Sequence, residues 1–177
     1  MRYLMIIAVL LSATFAAVSR DEEARKFTKR VSFSVSADDQ LRNEISGYLN
    51  DALHAIGDIV IVDSLAQYQI DVVAMDTKNK RGEEIGITLS TVILRCFDRE
   101  IFEQPIFQPA RKRLERLTTG LSSMEIHKIR LCTHTDLQSA CAAIIADFNT
   151  EQLDRDRKMF NQIMEMLKKY KKKKPSH

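Results

Sequence analysis

The 177-residue sequence contains no tryptophan, three prolines and only five glycines. The glycines stand at Gly47, Gly57, Gly82, Gly86 and Gly120, and no two of them have the spacing of a phosphate-binding loop. A nucleotide-binding turn needs that spacing because the backbone must approach the phosphates where a side chain would collide. The sequence therefore does not support nucleotide binding, and we expect no cofactor.

Catalytic and metal-binding motifs are missing as well. No serine stands in a nucleophile-elbow context, so the four histidines do not define a Ser-His-Asp or Cys-His site. His127 and His134 flank Cys132, but structural zinc usually takes four ligands, which this group does not supply. We therefore predict a protein that is not an enzyme, without catalytic, cofactor-binding or metal-ligating residues.

Long apolar runs are confined to the N-terminus. Residues 1–19, MRYLMIIAVLLSATFAAVS, combine Arg2, an apolar run over residues 4–11 and small residues after it, which is typical of a secretory signal peptide. The run is too short to span a bilayer. Small residues at Ala17 and Ser19 favour cleavage after Ser19, although Thr14 and Ala16 also allow cleavage after Ala16. A further alternative is an uncleaved anchor. We predict an exported protein, periplasmic or extracellular, with no transmembrane span once the signal is removed.

The sequence has three cysteines, an odd number for an exported chain. An oxidising compartment favours pairing. Cys132 ends a predicted strand and Cys141 lies in the second turn of the next helix, so a chain that doubles back brings their Cα atoms within the roughly 7 Å that a bridge allows. This predicts a disulfide between Cys132 and Cys141, with Cys96 as the buried odd thiol. The alternative is three reduced, packed thiols.

Positive charge is concentrated at the C-terminus. Of 27 Lys and Arg residues, six lie in the last ten residues and one in the first nineteen, so residues 20–167 carry 20 basic against 24 acidic side chains. Such a run is a solvated or interacting end of the chain. It is a candidate for binding anionic surfaces, namely phospholipid, lipopolysaccharide or, least expected, nucleic acid; otherwise it merely solubilises a helix end. The run consists of Lys168, Lys169, Lys171, Lys172, Lys173 and Lys174.

Hydrophobic periodicity predicts a strand, a helix and a strand between residues 31 and 63. Residues 31–35 alternate apolar and small polar side chains, and a helical stripe follows that includes Leu41, Ile45, Leu49 and Leu53. Ser36 and Asp39 have capping-box spacing, which predicts a helix start near residue 37. Residues 59–62 are continuously apolar, which predicts a strand covered on both sides.

The second half of the sequence predicts a hairpin, a further strand and a long helix. Residues 68–75 and 85–97 form the hairpin, and residues 124–132 the further strand. A capping box at Thr135–Gln138 opens a helix that Asn149 and Thr150 break or kink before a second apolar stripe. Between them, residues 98–123 give only weak signals, a short strand at 101–107, a helical segment at 110–117 and a turn at Gly120.

These elements predict an α+β protein, a two-layer α/β sandwich. A mixed sheet of about five strands carries two main helices on one face, and the C-terminal helix is long. The domain organisation is a signal peptide at 1–19, a flexible lead-in at 20–29, a single domain at 30–167 and a basic tail at 168–177.

In arrangement, the segments GDIVIVD, YQIDVVAM and DLQSACAAIIADF resemble the N-terminal domain of the periplasmic protein TolB and the related CsgG-like curli-secretion folds. The segment IIADFNTEQLDRDRK is similar to uncharacterised bacterial exported proteins. The sequence lacks the β-propeller that accompanies the TolB domain and the lipid-anchored cysteine of the curli component. The resemblance implies a part of the envelope that works by binding other proteins.

One face of the predicted sheet is a candidate partner surface. If the helices cover the side that carries Phe33, Ile70 and Ile87, the opposite side presents small or polar residues. Such a face either docks a partner or is simply solvated. We therefore expect a non-enzymatic accessory or adaptor protein of the bacterial envelope. The first alternative is an anionic-surface binder, and the second is an enzyme with an unrecognised site, which would require a cleft with convergent polar groups. The candidate face consists of Ser32, Ser34, Gln69, Asp71, Thr88 and Ser90.

Overall fold

The structure is a computed structural model that describes residues 26–97 and 122–173. The predicted signal peptide, the weak signals within residues 98–121 and the last residues from Lys174 onward lie outside the described residues.

A mixed five-stranded sheet forms one layer of the described chain. The strands are ordered β2-β1-β3-β4-β5, with β1 parallel to both of its neighbours and the other pairs antiparallel. The predicted α+β fold, with two main helices and a long C-terminal helix, is confirmed. The elements are β1 (Lys29–Ser36), α1 (Asp39–His54), β2 (Ile59–Ile61), β3 (Tyr68–Lys78), β4 (Glu84–Cys96), β5 (Ser122–Cys132), α2 (Leu137–Phe148) and α3 (Asp154–Lys173).

Helix α1 connects the parallel strands β1 and β2 and buries its predicted stripe. Its N-cap is Asp38, whose carboxylate accepts a hydrogen bond from the Leu41 amide at 2.9 Å. The predicted start near residue 37 was therefore wrong by two residues, because Asp38 rather than Ser36 satisfies the first free amide. The residues that the helix buries are Leu41, Ile45, Leu49 and Leu53.

Strand β2 is shorter and more exposed than its composition predicts. It comprises three residues at the edge of the sheet, and the Val60 side chain is exposed. The prediction of a strand covered on both sides was wrong, because a continuous apolar run does not reveal whether its strand lies at the centre or at an edge of the sheet.

The core lies between the helices and one face of the sheet. Central strands β3 and β4 turn alternate residues towards it, as a period of two requires. Helix α2 adds the predicted stripe that includes Cys141, Ile144 and Phe148. The sheet residues that are buried beneath the helices include Val31, Tyr68, Ile70, Val72, Ile87, Leu89 and Ile93.

The start of α2 differs from the sequence prediction, and a π-helical segment stands where a break or kink was predicted. A 3₁₀ turn at His134–Asp136 precedes α2, and no side chain caps the helix, so the capping box predicted at Thr135 was wrong. At Asn149–Leu153 the chain continues as a π-helical segment instead of breaking. The wider π turn re-aims the residues after it. Leu153 and Asp156 consequently face inward and are buried.

The C-terminal half of α3 is only partly covered. The Phe160 ring packs edge-on against Phe27, with centroids 5.6 Å apart. Farther along, Ile163 and Met166 are exposed, the latter by 62%. Among the described residues, no helix is both long and apolar enough to cross a membrane.

Candidate functional site

The face of the sheet that the helices leave open carries the predicted partner residues. Ser32 lies opposite Gln69 and Ser34 opposite Asp71 across the parallel β1–β3 pair. The Ser34 hydroxyl donates to an Asp71 oxygen at 2.7 Å, and the Gln69 amide donates to the same oxygen at 2.9 Å. The structure thus brings Ser34, Gln69 and Asp71 into one hydrogen-bonded polar group, and Ser32 lies beside it, opposite Gln69.

The other two predicted residues, Thr88 and Ser90, lie on β4. Thr88 shares a hydrogen bond of 2.6 Å with the Thr77 hydroxyl, and Ser90 lies 3.3 Å from Nε2 of His127. On neighbouring strands, however, their register partners are apolar: Met75 and Leu131 flank Thr88, while Val73 and Ile129 flank Ser90. The open face is therefore mixed, not uniformly small and polar.

Sequence reasoning missed the large apolar side chains of this face. A β-bulge in the β4–β5 pair explains part of the failure, because Met124 pairs with Leu94 and Ile126 with Ile93, which leaves Glu125 as an extra residue. Because of this extra residue, the open face of β5 carries even-numbered residues before the bulge and odd-numbered residues after it. The exposed apolar residues of the face are Val73, Met75, Met124, Ile129 and Leu131.

A cleft of about 410 Å³ opens where β4 ends and β5 begins. It is lined by charged, aromatic and apolar side chains that come from four parts of the chain. Its lining includes Lys29, Tyr68, Arg95, Phe97, Asp156 and Met159.

Asp156 is the centre of a buried polar cluster in this cleft. Its carboxylate accepts hydrogen bonds from Lys29 Nζ at 2.9 Å, from Arg95 Nη2 at 2.5 Å and from the Tyr68 hydroxyl at 3.1 Å. Arg95 Nε donates to the Tyr68 oxygen at 3.0 Å, and its guanidinium lies 5.2 Å from the centre of the Tyr68 ring. Every oxygen of the Asp156 carboxylate is therefore satisfied, although only 3% of the side chain is exposed.

The electrostatics of the cluster fix its protonation state. Burial raises the pKa of Asp156, but the hydrogen bonds and charges of Lys29 and Arg95 outweigh it and hold the pKa below its ordinary value. Burial raises the pKa of Tyr68 to about 12. At neutral pH the cluster is thus an Asp156 carboxylate, a neutral Tyr68 hydroxyl and two cations.

Two further ionic clusters hold α2 and α3 in place. Arg157 donates to both oxygens of Asp58, at 2.7 and 2.8 Å, and to Asp154 at 2.6 Å. On β5, Lys128 contacts Asp147 at 2.9 Å and Glu151 at 2.5 Å, while Arg130 also contacts Asp147. These contacts join elements that are distant in sequence, and we interpret them as structural.

The three cysteines are free thiols in the structure. Cys132 lies 3.7 Å from the Ile87 carbonyl oxygen, and Cys141 is buried under the sheet. Burial, together with the neighbouring Cys132, raises the pKa of Cys141 to about 12, so this thiol is protonated at neutral pH. Cys96, predicted to be buried, is half-buried. The Cys132–Cys141 bridge is not formed here and stays a prediction for the oxidised protein.

The lysine run begins inside α3. The helix continues to Lys173, and Lys169 is exposed; Lys174 lies outside the described residues. Within the ranges that the structure describes, no three His, Cys, Asp or Glu side chains form a group that would hold a metal ion.

Comparisons with known proteins give limited information. No protein-family model and no curated protein matches the chain. A PelC dodecamer from Paraburkholderia phytofirmans in space group P6 is 12% identical, over 72% of this chain and 91% of that one, with a TM-score of 0.39. A PelC variant in space group C2 is 13% identical, over 70% and 84% of the two chains, with a TM-score of 0.38. Likenesses this distant carry no argument about function.

Proposed function

We propose that this protein is a non-enzymatic, exported accessory or adaptor protein of the bacterial envelope that binds a protein partner through the open face of its sheet. One observation carries the proposal: exposed apolar side chains lie beside the hydrogen-bonded polar group of Ser34, Gln69 and Asp71 on that face. Apolar patches bordered by polar groups are typical of protein-binding surfaces.

Strand β5 extends this surface to an edge of the sheet. It is an edge strand in the described part of the chain, and its Ile129 and Leu131 are each more than 60% exposed. Edge strands present backbone donors and acceptors to partners. Side-chain and backbone contacts are consequently available together at β5.

Crosslinking and pull-down from envelope fractions test the proposal. The Ile129→Glu and Leu131→Glu double variant places charges in the β5 part of the apolar patch, and we expect it to lose the partner that the unmodified protein recovers. Leu65→Glu is the matched control because Leu65 is equally exposed but lies in the connection between β2 and β3. Equal recovery by all three proteins, or no specific partner, would contradict the proposal.

A second function, binding to anionic surfaces through the lysine run, is favoured by α3. Exposed Ile163 and Met166 lie in the same helix as the lysines, which is the arrangement of an interfacial amphipathic helix. Near an anionic membrane each lysine contributes about 1 kcal/mol, and salt weakens that contribution.

Cosedimentation with anionic vesicles separates the two functions. We expect binding by the protein without residues 1–19 at low salt, weaker binding at high salt, and none by a version that ends at Leu167. Equal binding by both versions would rule out the lysine run. Pull-down of the envelope partner by the shortened version would leave the adaptor function intact.

A further inference from the structure

We infer that the cleft beside Asp156 binds a small organic anion that carries an apolar group, such as an aromatic carboxylate or phosphate ester. This site is separate from the open face. The inference rests on the charge, the unused hydrogen-bond donors and the apolar wall of the cleft.

Among the residues that the structure describes, the cleft has a surplus of positive charge. Lys29 and Arg95 both contact the single carboxylate of Asp156, so one positive charge is not balanced within the cluster. The other two clusters differ: Arg157 faces the two carboxylates of Asp58 and Asp154, and the Lys128–Arg130 pair faces Asp147 and Glu151. Of these three ionic clusters, the one in the cleft alone has more cations than carboxylates.

The cations retain donors for a ligand. Arg95 uses Nε and Nη2 for Tyr68 and Asp156, and no hydrogen bond in the described part of the chain engages its Nη1. Lys29 makes one ion pair with its ammonium group, which has three donors. Their side chains are 21% and 33% exposed, so both reach the cleft without being fully hydrated. A partly desolvated guanidinium favours carboxylate or phosphate oxygens.

The apolar part of the remaining wall favours an apolar group on the anion. Phe97 and Met159 line the cleft and are each about half exposed. The volume of about 410 Å³ lies within the range of small-molecule sites. A one-ring anion would place its charge at Lys29 and Arg95 and its ring against Phe97 and Met159.

Titration of the isotope-labelled protein, followed by NMR, tests the inference with four probes: phenyl phosphate, benzoate, inorganic phosphate and neutral benzyl alcohol. We expect phenyl phosphate and benzoate to shift the amides of Ser122 and Ser123, which line the cleft. Benzyl alcohol and inorganic phosphate should each bind at least tenfold more weakly, because benzyl alcohol lacks the negative charge and inorganic phosphate lacks the aromatic ring. Equal binding of benzyl alcohol and benzoate, or no shift at these amides with 10 mM phenyl phosphate, a concentration at which a weak millimolar site is largely filled, would overturn the inference.

Variants identify the residues involved. Arg95→Gln should weaken phenyl phosphate binding at least tenfold, while Arg130→Gln, which also removes an arginine from an ion pair, should not change it. If Arg95→Gln does not fold, Phe97→Ala decides the question: it should weaken binding of phenyl phosphate but not of inorganic phosphate. Unchanged phenyl phosphate binding in a folded Arg95→Gln protein or in Phe97→Ala would contradict the assigned site.

Discussion

The two faces of the sheet are built by the same strands, yet they differ in what covers them. On β4, Ile87 and Leu89 are fully buried beneath the helices, whereas Thr88 and Ser90, which alternate with them, face the open side. The covered face is mostly apolar, and the open face combines hydrogen-bonded polar groups with exposed apolar ones. The comparison shows that an alternating strand determines which residues share a face, while the packing of helices determines which face becomes the core.

The largest expected effect comes from matched truncations on the two faces. Ile87→Ala should lower the free energy of unfolding by about 3 kcal/mol, because it removes buried methyl and methylene groups and leaves a cavity. Ile129→Ala removes the same atoms from the open face, where Ile129 is 68% exposed, and should change it by less than about 0.5 kcal/mol. Urea denaturation of both variants measures the difference. Similar losses would show that the open face is covered in solution.

A second prediction concerns Asp156, which joins α3 to the covered side. Asp156→Asn should lower the free energy of unfolding by about 3 kcal/mol at pH 7. This value is near the lower end of the range for breaking a buried ion pair, because Lys29 and Arg95 are still partly solvated. The pKa of Asp156 is lowered in the folded protein, so its stabilisation is complete above the ordinary value of 3.8 and is lost as the pH falls through the lower folded value. The difference in free energy of unfolding between wild type and Asp156→Asn should therefore become smaller below about pH 4.

Urea denaturation between pH 7 and pH 3 checks this dependence. Asp39→Asn is the control, because Asp39 is almost fully exposed in its ion pair with Arg42. If the difference in free energy of unfolding between wild type and Asp156→Asn stays constant down to pH 3, the assigned charge state of Asp156 is contradicted.

The third prediction concerns Cys132 in β5 and Cys141 in α2, which lie on the covered side of the sheet. In the exported protein we predict a bridge between Cys132 and Cys141, which would stabilise the fold by roughly 2–3 kcal/mol on the chain-entropy account. Non-reducing peptide mapping should find these two residues joined and Cys96 free. Cys96→Ser should leave the map unchanged, and three free thiols in protein taken from the envelope would refute the bridge.

The smallest expected effect on stability comes from a backbone contact between two strands, which does not depend on either face of the sheet. Gly86 has a φ of +154°, and a Cβ atom there would lie 2.6 Å from the Cys132 carbonyl oxygen. Gly86→Ala should therefore destabilise by about 2 kcal/mol. Gly47→Ala, in α1 with open space around it, should instead stabilise by about 0.5–1 kcal/mol. Thermal denaturation distinguishes the two signs, and a Gly86→Ala protein as stable as wild type would contradict the close strand contact.

The candidate sites were less predictable than the fold. The six polar residues of the open face were predicted because strict alternation along β1, β3 and β4 places them on one side. The apolar residues of that face were missed for two reasons: Val73 and Met75 follow the same alternation on β3 and were overlooked, whereas the extra residue Glu125 shifts the alternation of β5 and nothing in the local sequence marks the bulge. The cluster in the cleft gave no signal either, because Tyr68 and Asp156 are 88 residues apart.

The sequence by itself determined most of the elements and which of their residues share a face. Periods of 3.6 and two residues are properties of neighbouring positions, so the stripe of α1 and the alternation of β4 can be recognised before any tertiary contact is known. Only the tertiary structure decided that β2 lies at an edge, that the π turn aims Asp156 inward, and that Lys29, Arg95 and Asp156 meet in one cleft. These outcomes depend on how the whole chain pairs its buried charges and packs its core. The free energy of that pairing and packing comes from contacts between residues that are far apart in sequence.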